Sequence, residues 1–369
     1  MDFYLNFPNN KLSNNATDRI LSNSNSIDFH KKLSNYSISK LFKLENLSKK
    51  LNIKNVYVKD ESTRFGLNAF KGLGASYAIN KILTDNSKIN VFCTATDGNH
   101  GKAVAWSASI NKKKSVVYVP RDTTKNRIDA IAQFGGEVIQ LNMNYEETCN
   151  HAAKQCDLNN WLLVQDTSWV GYEKIPALIM SGYLTHFKEM EDSINLFQKP
   201  KIDIIFLQCG VGSWPASCIW YYMSRYKKNR PKIVLVEPNE ASGVLRSFIE
   251  NQRVSPKGNS KTIMAGLNCG IPSKSAWEII KNGCDAVMTI SDEYTMDAMR
   301  TLYNPKGNDA RIISGESGAA GLAGLIKCIK DPRLSKLNEH IELNSKSRIL
   351  IFNTEGDTDK ESFRSIVDL

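Results

Sequence analysis

A chain of 369 residues, 41% hydrophobic and 23% charged, is too long for one ordinary core and suits two α/β domains. Its net charge of +10 comes from lysines dispersed in short runs such as "NKKKS" and "RYKKNRPK". No stacking aromatics are interleaved with them, which favours a solvated surface over a nucleic-acid partner. No apolar run approaches the roughly 18 residues that span a bilayer. The opening "MDFYLNFPNNKLSNNATD" also lacks the build of a signal peptide, so the expectation is a cytoplasmic protein with no membrane partner.

The cysteines at 93, 149, 156, 209, 218, 269, 284 and 328 form no C-x-x-C pair. That argues against a metal site or a disulfide framework and leaves core thiols.

After a polar, Asn/Ser-rich opening, short apolar runs alternate with longer amphipathic stretches. In chain order the predicted strands are "NVYVKD", "INVFCTAT", "SVVYVP", "GEVIQL", "WLLVQD", "IDIIFLQ", "KIVLVEP", "AVMTI" and "RILIFNTEG". Stretches such as "TTKNRIDAIAQF" and "EETCNHAAKQCDL" carry helical spacing between them. Near-continuous Val/Ile runs joined through helices predict buried parallel strands, hence a doubly wound α/β protein. The charged stretch "HFKEMEDSINLFQKPK" is a candidate connection from one unit to the next.

Such sheets bind ligands beyond the carboxyl ends of their strands, so the junctions after the strands hold the candidate chemistry. "NAFKGLGASYA" sets Lys71 before Gly72 and Gly74 at a helix entrance, and each glycine costs helix stability of about 1 kcal/mol. "TATDGNHG" brackets Asp97, Asn99 and His100 with glycines; Asp97 reads as a helix cap and His100 as a first-turn residue, but two glycines around three polar side chains favour a ligand-facing loop. In "VQDTSWVGYE", Asp166 is either a cap for a helix near Glu173 or a second carboxylate facing a ligand. "QCGVGSWP" runs a strand into Gly210, Val211, Gly212 and Ser213 with Pro215 near the helix start. Either it is a tight turn, or its N–H groups and the helix N-terminus hold a phosphate. The same stretch, with Glu237 after the next strand, imitates a dinucleotide fingerprint. Pro215 stands where the third glycine belongs, which weakens that reading. Thr354 ends the last strand in "IFNTEGDTD".

A lysine after a small-residue loop, with a separate phosphate cradle, suggests pyridoxal phosphate: the lysine forms a Schiff base with its aldehyde and the cradle anchors its phosphate. The blocks "KDESTRFGLNAFKGLGASYA", "ATDGNHGKAVAW", "QDTSWVGYEKIPALIMSGYLT", "TIMAGLNCGIP", "NPKGNDARIISGESGAAGL" and "NTEGDTD" make this specific. Together they resemble the diaminopropionate ammonia-lyases. These are fold-type-II pyridoxal-phosphate enzymes, in the group of tryptophan synthase β and the serine/threonine dehydratases.

The resemblance implies two doubly wound, mainly parallel-sheet domains with the cofactor in the interdomain cleft, and a homodimer. It implies elimination from 2,3-diaminopropionate to pyruvate and two ammonia. Lys71 is then the Schiff-base lysine, and Asn99 bonds the cofactor's 3-hydroxyl oxygen. Gly210, Val211, Gly212 and Ser213 hold the phosphate, Thr354 faces the pyridine nitrogen, and Asp97 and Asp166 are the acid/base pair. Pro215, Cys209 and the first 50 residues depart from the pattern.

The expected large domain takes residues 1–88 and 197–369, and the inserted small one residues 89–196, with Lys71 and Asn99 on opposite sides. The alternatives are a dehydratase-like β-eliminase, with hydroxide rather than ammonia leaving, and a non-catalytic pyridoxal-phosphate or amino-acid-binding protein.

Overall fold

The computed structural model describes residues 2–96, 98–194, 202–258 and 261–368. In chain order its strands are β1 (Phe3–Leu5), β2 (Lys40–Lys43), β3 (Asn55–Asp60), β4 (Val91–Ala95), β5 (Lys114–Val119), β6 (Glu137–Gln140), β7 (Leu162–Leu163), β8 (Ile204–Gln208), β9 (Lys232–Pro238), β10 (Ala286–Ile290) and β11 (Arg348–Asn353). Contacts group the chain into a first unit of Met1–Asn14, Ile38–Thr63 and His186–Leu369, and a second of Asn15–Ser37 and Arg64–Thr185.

The first unit holds a seven-stranded sheet in the order β1-β10-β9-β8-β11-β3-β2. Its five inner strands are parallel, and both edges, β1 on β10 and β2 on β3, run antiparallel. β8 and β10 are buried at every position, which is why they read as unbroken apolar runs. The edge strands have three and four residues and no fully buried position, so they leave no such signal. Helix Glu316–Lys330 supplies much of the apolar face packed on this sheet, through Ala319, Leu322, Ala323 and Ile326.

The second unit holds a four-stranded parallel sheet in the order β6-β5-β4-β7. Its two faces carry separate clusters, one around Cys93, Val116 and Ala152, the other around Ala105, Val117 and Ile131.

Residues 64–88, expected from the sequence to join the larger unit, group by contact with the second. The reason is local packing. Helix Gly72–Asp85 lies on helix Asn99–Ile110 and on helix Lys174–Ile194. At the second of these crossings two glycines face each other. A Cβ on Gly74 would stand 2.6 Å from the Tyr183 ring and 2.7 Å from Ile179, and one on Gly182 only 2.3 Å from the Leu73 carbonyl oxygen. The glycines of "FKGLG" therefore admit a neighbouring helix. The charged stretch expected as a connection is helical as far as Ile194, and its remaining residues, 195–201, lie outside the described residues.

Gly182→Ala should lower stability by about 1–3 kcal/mol, the cost of overpacking against backbone that cannot give. Denaturant unfolding of the variant against the parent measures it.

Candidate active site

In the second unit Lys71 stands at the N-cap of helix Gly72–Asp85, where the helix macrodipole disfavours a positive charge. Its Nζ lies 2.5 Å from Asp166 Oδ2, with the Phe70 ring 5.3 Å away. Asp166 reaches this position because its neighbour is clamped. Gln165 Oε1 accepts from Thr94 Oγ1 and the Ala95 N–H, and Gln165 Nε2 donates to the Ala95 carbonyl at 2.9 Å. The Gln165 N–H donates to the Tyr172 hydroxyl, which in turn donates to the Leu163 carbonyl. Asp166 is thus in direct contact with Lys71.

Burial by itself would raise the Asp166 carboxyl. The Lys71 ammonium beside it outweighs burial and holds the group well below the usual carboxylate range. His100 Nδ1 is 3.8 Å from Asp166 Oδ2, while Nε2 lies 2.8 Å from the Val164 carbonyl. A carbonyl only accepts, so Nε2 carries the proton and Nδ1 presents its lone pair. Burial keeps this imidazole neutral by lowering its pKa.

Sequence reasoning named His100 without giving it a role, because its nearness to Asp166 depends on how β4 and β7 pair. Tyr183 was missed altogether. It is fully buried, its hydroxyl raised by burial and pulled back by nearby Lys71. Asn99 opens helix Asn99–Ile110 beside His100, in the same unit as Lys71 and not, as expected, in a different one. Asp97 lies outside the described residues.

In the first unit the chain leaves β8 at Cys209 and enters helix Ser213–Tyr226 through Gly212, whose φ of 93° is one that L side chains rarely adopt. The N–H groups of Gly210, Val211 and Gly212 donate to no acceptor among the described residues, although the Val211 carbonyl accepts from Ser273 N at 2.8 Å. Pro215 sits in the first helical turn, where an N–H has no intrahelical partner to lose. The Cys209 thiol is buried and raised well above its ordinary value, so it is inert.

β11 runs beside β8 and ends at Thr354, whose Oγ1 accepts from Gln208 Nε2 at 2.8 Å. Its own O–H meets no acceptor among the described residues. Glu237 belongs to another role. Its carboxylate accepts the N–H groups of Val244 and Leu245, both at 2.8 Å, and burial raises it to about 8 despite them. It anchors a helix start, which removes the dinucleotide reading.

The family model described as pyridoxal-phosphate dependent enzyme matches residues 34–354. Diaminopropionate ammonia-lyase of Escherichia coli strain K12 is 37% identical, with 97% of this chain and 95% of that protein aligned. The chain belongs to the pyridoxal-phosphate dependent enzymes, in the diaminopropionate ammonia-lyase family.

The Salmonella typhimurium diaminopropionate ammonia-lyase is 36% identical over 92% of this chain and 90% of its own length. The E. coli crystal structure in complex with an aminoacrylate–PLP azomethine reaction intermediate superposes with a TM-score of 0.91 at 36% identity, covering 99% of this chain and 96% of that one. A tomato threonine deaminase shares the fold at a TM-score of 0.80 and 20% identity, over 100% of this chain and 96% of that one.

As a family member the protein is a lyase that uses pyridoxal phosphate. Its residues fit that group. The loop at 210–212 offers three backbone donors at a helix N-terminus, Thr354 offers a neutral hydroxyl with a spare proton, and Lys71 is an amine beside a carboxylate.

Because its pKa is depressed by folding, ionised Asp166 contributes stability above its unfolded value of about 4, and that contribution is lost as the pH falls below it. In Lys71→Ala the ammonium and its hydrogen bond are gone while burial stays, so the Asp166 carboxyl should titrate clearly higher than in the parent. Carboxyl 13C chemical shifts followed against pH in both proteins report it.

Proposed function

We propose that the protein eliminates ammonia from 2,3-diaminopropionate and that one water then releases the second ammonia, giving pyruvate and two ammonia, with Lys71, Asp97 and Asp166 as the reacting side chains. The observation that carries this reading is the Lys71–Asp166 pair, a nucleophilic amine and a buried carboxylate in direct contact.

Bound pyridoxal phosphate would supply an aldehyde to condense with an amine and a conjugated ring to take up electrons as a Cα proton leaves. Lys71 must shed a proton to act as a nucleophile, and Asp166 is near enough to receive it. The helix N-terminus favours that loss. Once Lys71 is neutral, the main influence depressing Asp166 is gone, and burial raises its carboxyl toward the range where it serves as a base. Neutral His100 completes the pair's surroundings without competing for the charge.

At the other end, the N–H groups of Gly210, Val211, Gly212 and Ser213 would take the phosphate, and Asn99 the 3-hydroxyl oxygen. Thr354, a hydroxyl and not a carboxylate, would leave the pyridine nitrogen unprotonated. Glu355, next to Thr354, accepts the Ser317 N–H, and Glu316 opens helix Glu316–Lys330; these buried carboxylates favour a substrate with a cationic β-amine over serine or threonine. Asp97 is the second acid/base group, assigned to the opposite enantiomer from Asp166. An E. coli relative at 35% identity has been crystallised with D-serine, which supports room for the D hand. The reading includes a homodimeric, cytoplasmic enzyme, and light scattering tests the first of these.

Pyruvate release should be fast from diaminopropionate and slow from serine and threonine; the reverse order would favour a dehydratase. Lys71→Ala should abolish turnover and the visible absorbance of bound cofactor. Asp97→Asn and Asp166→Asn should each cost about a hundredfold or more on one enantiomer only. Equal loss on both would overturn the assignment of the two aspartates.

A further inference from the structure

The first unit buries a second set of charged groups that none of these steps uses. Lys59, Glu61, His186 and Glu189 are all at most 2% exposed. Lys59 Nζ lies 3.1 Å from Glu189 Oε2 and donates to the Ser39 carbonyl at 2.8 Å. Ser39 links the two carboxylates, its hydroxyl donating to Glu61 and its N–H to Glu189 at 3.4 Å. His186 Nδ1 stands 3.6 Å from Glu61 Oε2, and Trp214 Nε1 donates to His186 Nε2 at 3.0 Å.

An indole N–H only donates, so His186 Nε2 must present its lone pair. The single proton of a neutral imidazole then sits on Nδ1, facing Glu61. A doubly protonated ring would set two donors against each other. Carboxylate, imidazole and indole thus run in one fixed direction. Buried charge is a poor source of stability, since apolar packing of equal volume serves as well or better, but it does impose orientation. Here the oriented group is Trp214, which follows Ser213 in the first turn of helix Ser213–Tyr226. Phe352 packs edge-on against its ring at 5.4 Å, two residues before Thr354.

We propose that Glu61, His186 and Trp214 form a positioning relay. It fixes the first turn of helix Ser213–Tyr226 and, through it, aims the N–H groups of the 210–213 loop at a phosphate. This rests on the reading that the loop holds the cofactor phosphate. None of the three touches reacting atoms.

The test titrates the full-length protein, freed of cofactor, with pyridoxal phosphate and with pyridoxal, which lacks the phosphate, by calorimetry. A 31P spectrum of the bound phosphate accompanies it. The parent should prefer pyridoxal phosphate. His186→Phe, which removes both polar contacts, and Trp214→Phe, which keeps a ring and removes the donor, should each weaken pyridoxal phosphate about tenfold. Both should leave pyridoxal unchanged and shift the 31P resonance. His186→Gln, whose side-chain oxygen accepts from Trp214, should recover most of the affinity. If His186→Phe does not fold, Trp214→Phe carries the comparison. A preference for the phosphate in the parent that persists undiminished in these variants overturns the relay alone. A parent that binds both compounds equally overturns the phosphate reading and the relay with it.

Discussion

Lys71 depends on how closely two helices can approach. Helix Lys174–Ile194 crosses helix Gly72–Asp85 at Gly182 and Gly74, with the Leu73 carbonyl where a Cβ on Gly182 would be. Any side chain at either position would push the helices apart and move the first turn that carries Lys71. The glycines weaken the helix in isolation. The packing they admit offsets this, with Leu73, Ile179 and Tyr183 all fully buried around the crossing. The lysine's place is thus set by backbone contact, and its charge by a carboxylate from the β7 side of the same unit.

A second constraint is the parallel sheet. Adjacent parallel strands end on the same side, so β8 and β11 deliver the 210–213 loop and Thr354 together although the chain separates them widely. Gln208 ties the two ends, donating to the Phe352 carbonyl at 2.9 Å and to Thr354 Oγ1. A turn built only to reverse the chain would satisfy its own donors. This one leaves three N–H groups without acceptors among the described residues, at a helix N-terminus where partial positive charge accumulates.

The two units also show buried charge used in two ways. Asp166 is held ionised chiefly by Lys71, so its proton affinity changes when Lys71 changes. Glu61 and Glu189 are held by several partners in a network with Lys59, Ser39 and His186, so it fixes direction. The first arrangement suits chemistry and the second suits positioning.

Much of this was legible in the residue order. The nine strand runs, their parallel pairing and the polar junctions after them follow from hydrophobic pattern, because buried parallel strands must be apolar on both faces. The family blocks around Lys71, Asn99, Asp166 and the glycine loop follow from order alone. The antiparallel edges β1 and β2 did not show, since a short strand with one neighbour needs no continuous apolar run. The grouping of residues 64–88 turned on helix packing that leaves only glycines as a trace. The contact of Asp166 with Lys71, and the anchoring role of Glu237, were decided by which atoms came within 3 Å. Sequence determined which residue types stand at each strand end, because period and composition are local properties. Tertiary structure alone decided their charge states and partners, because those depend on distances between residues far apart in the chain.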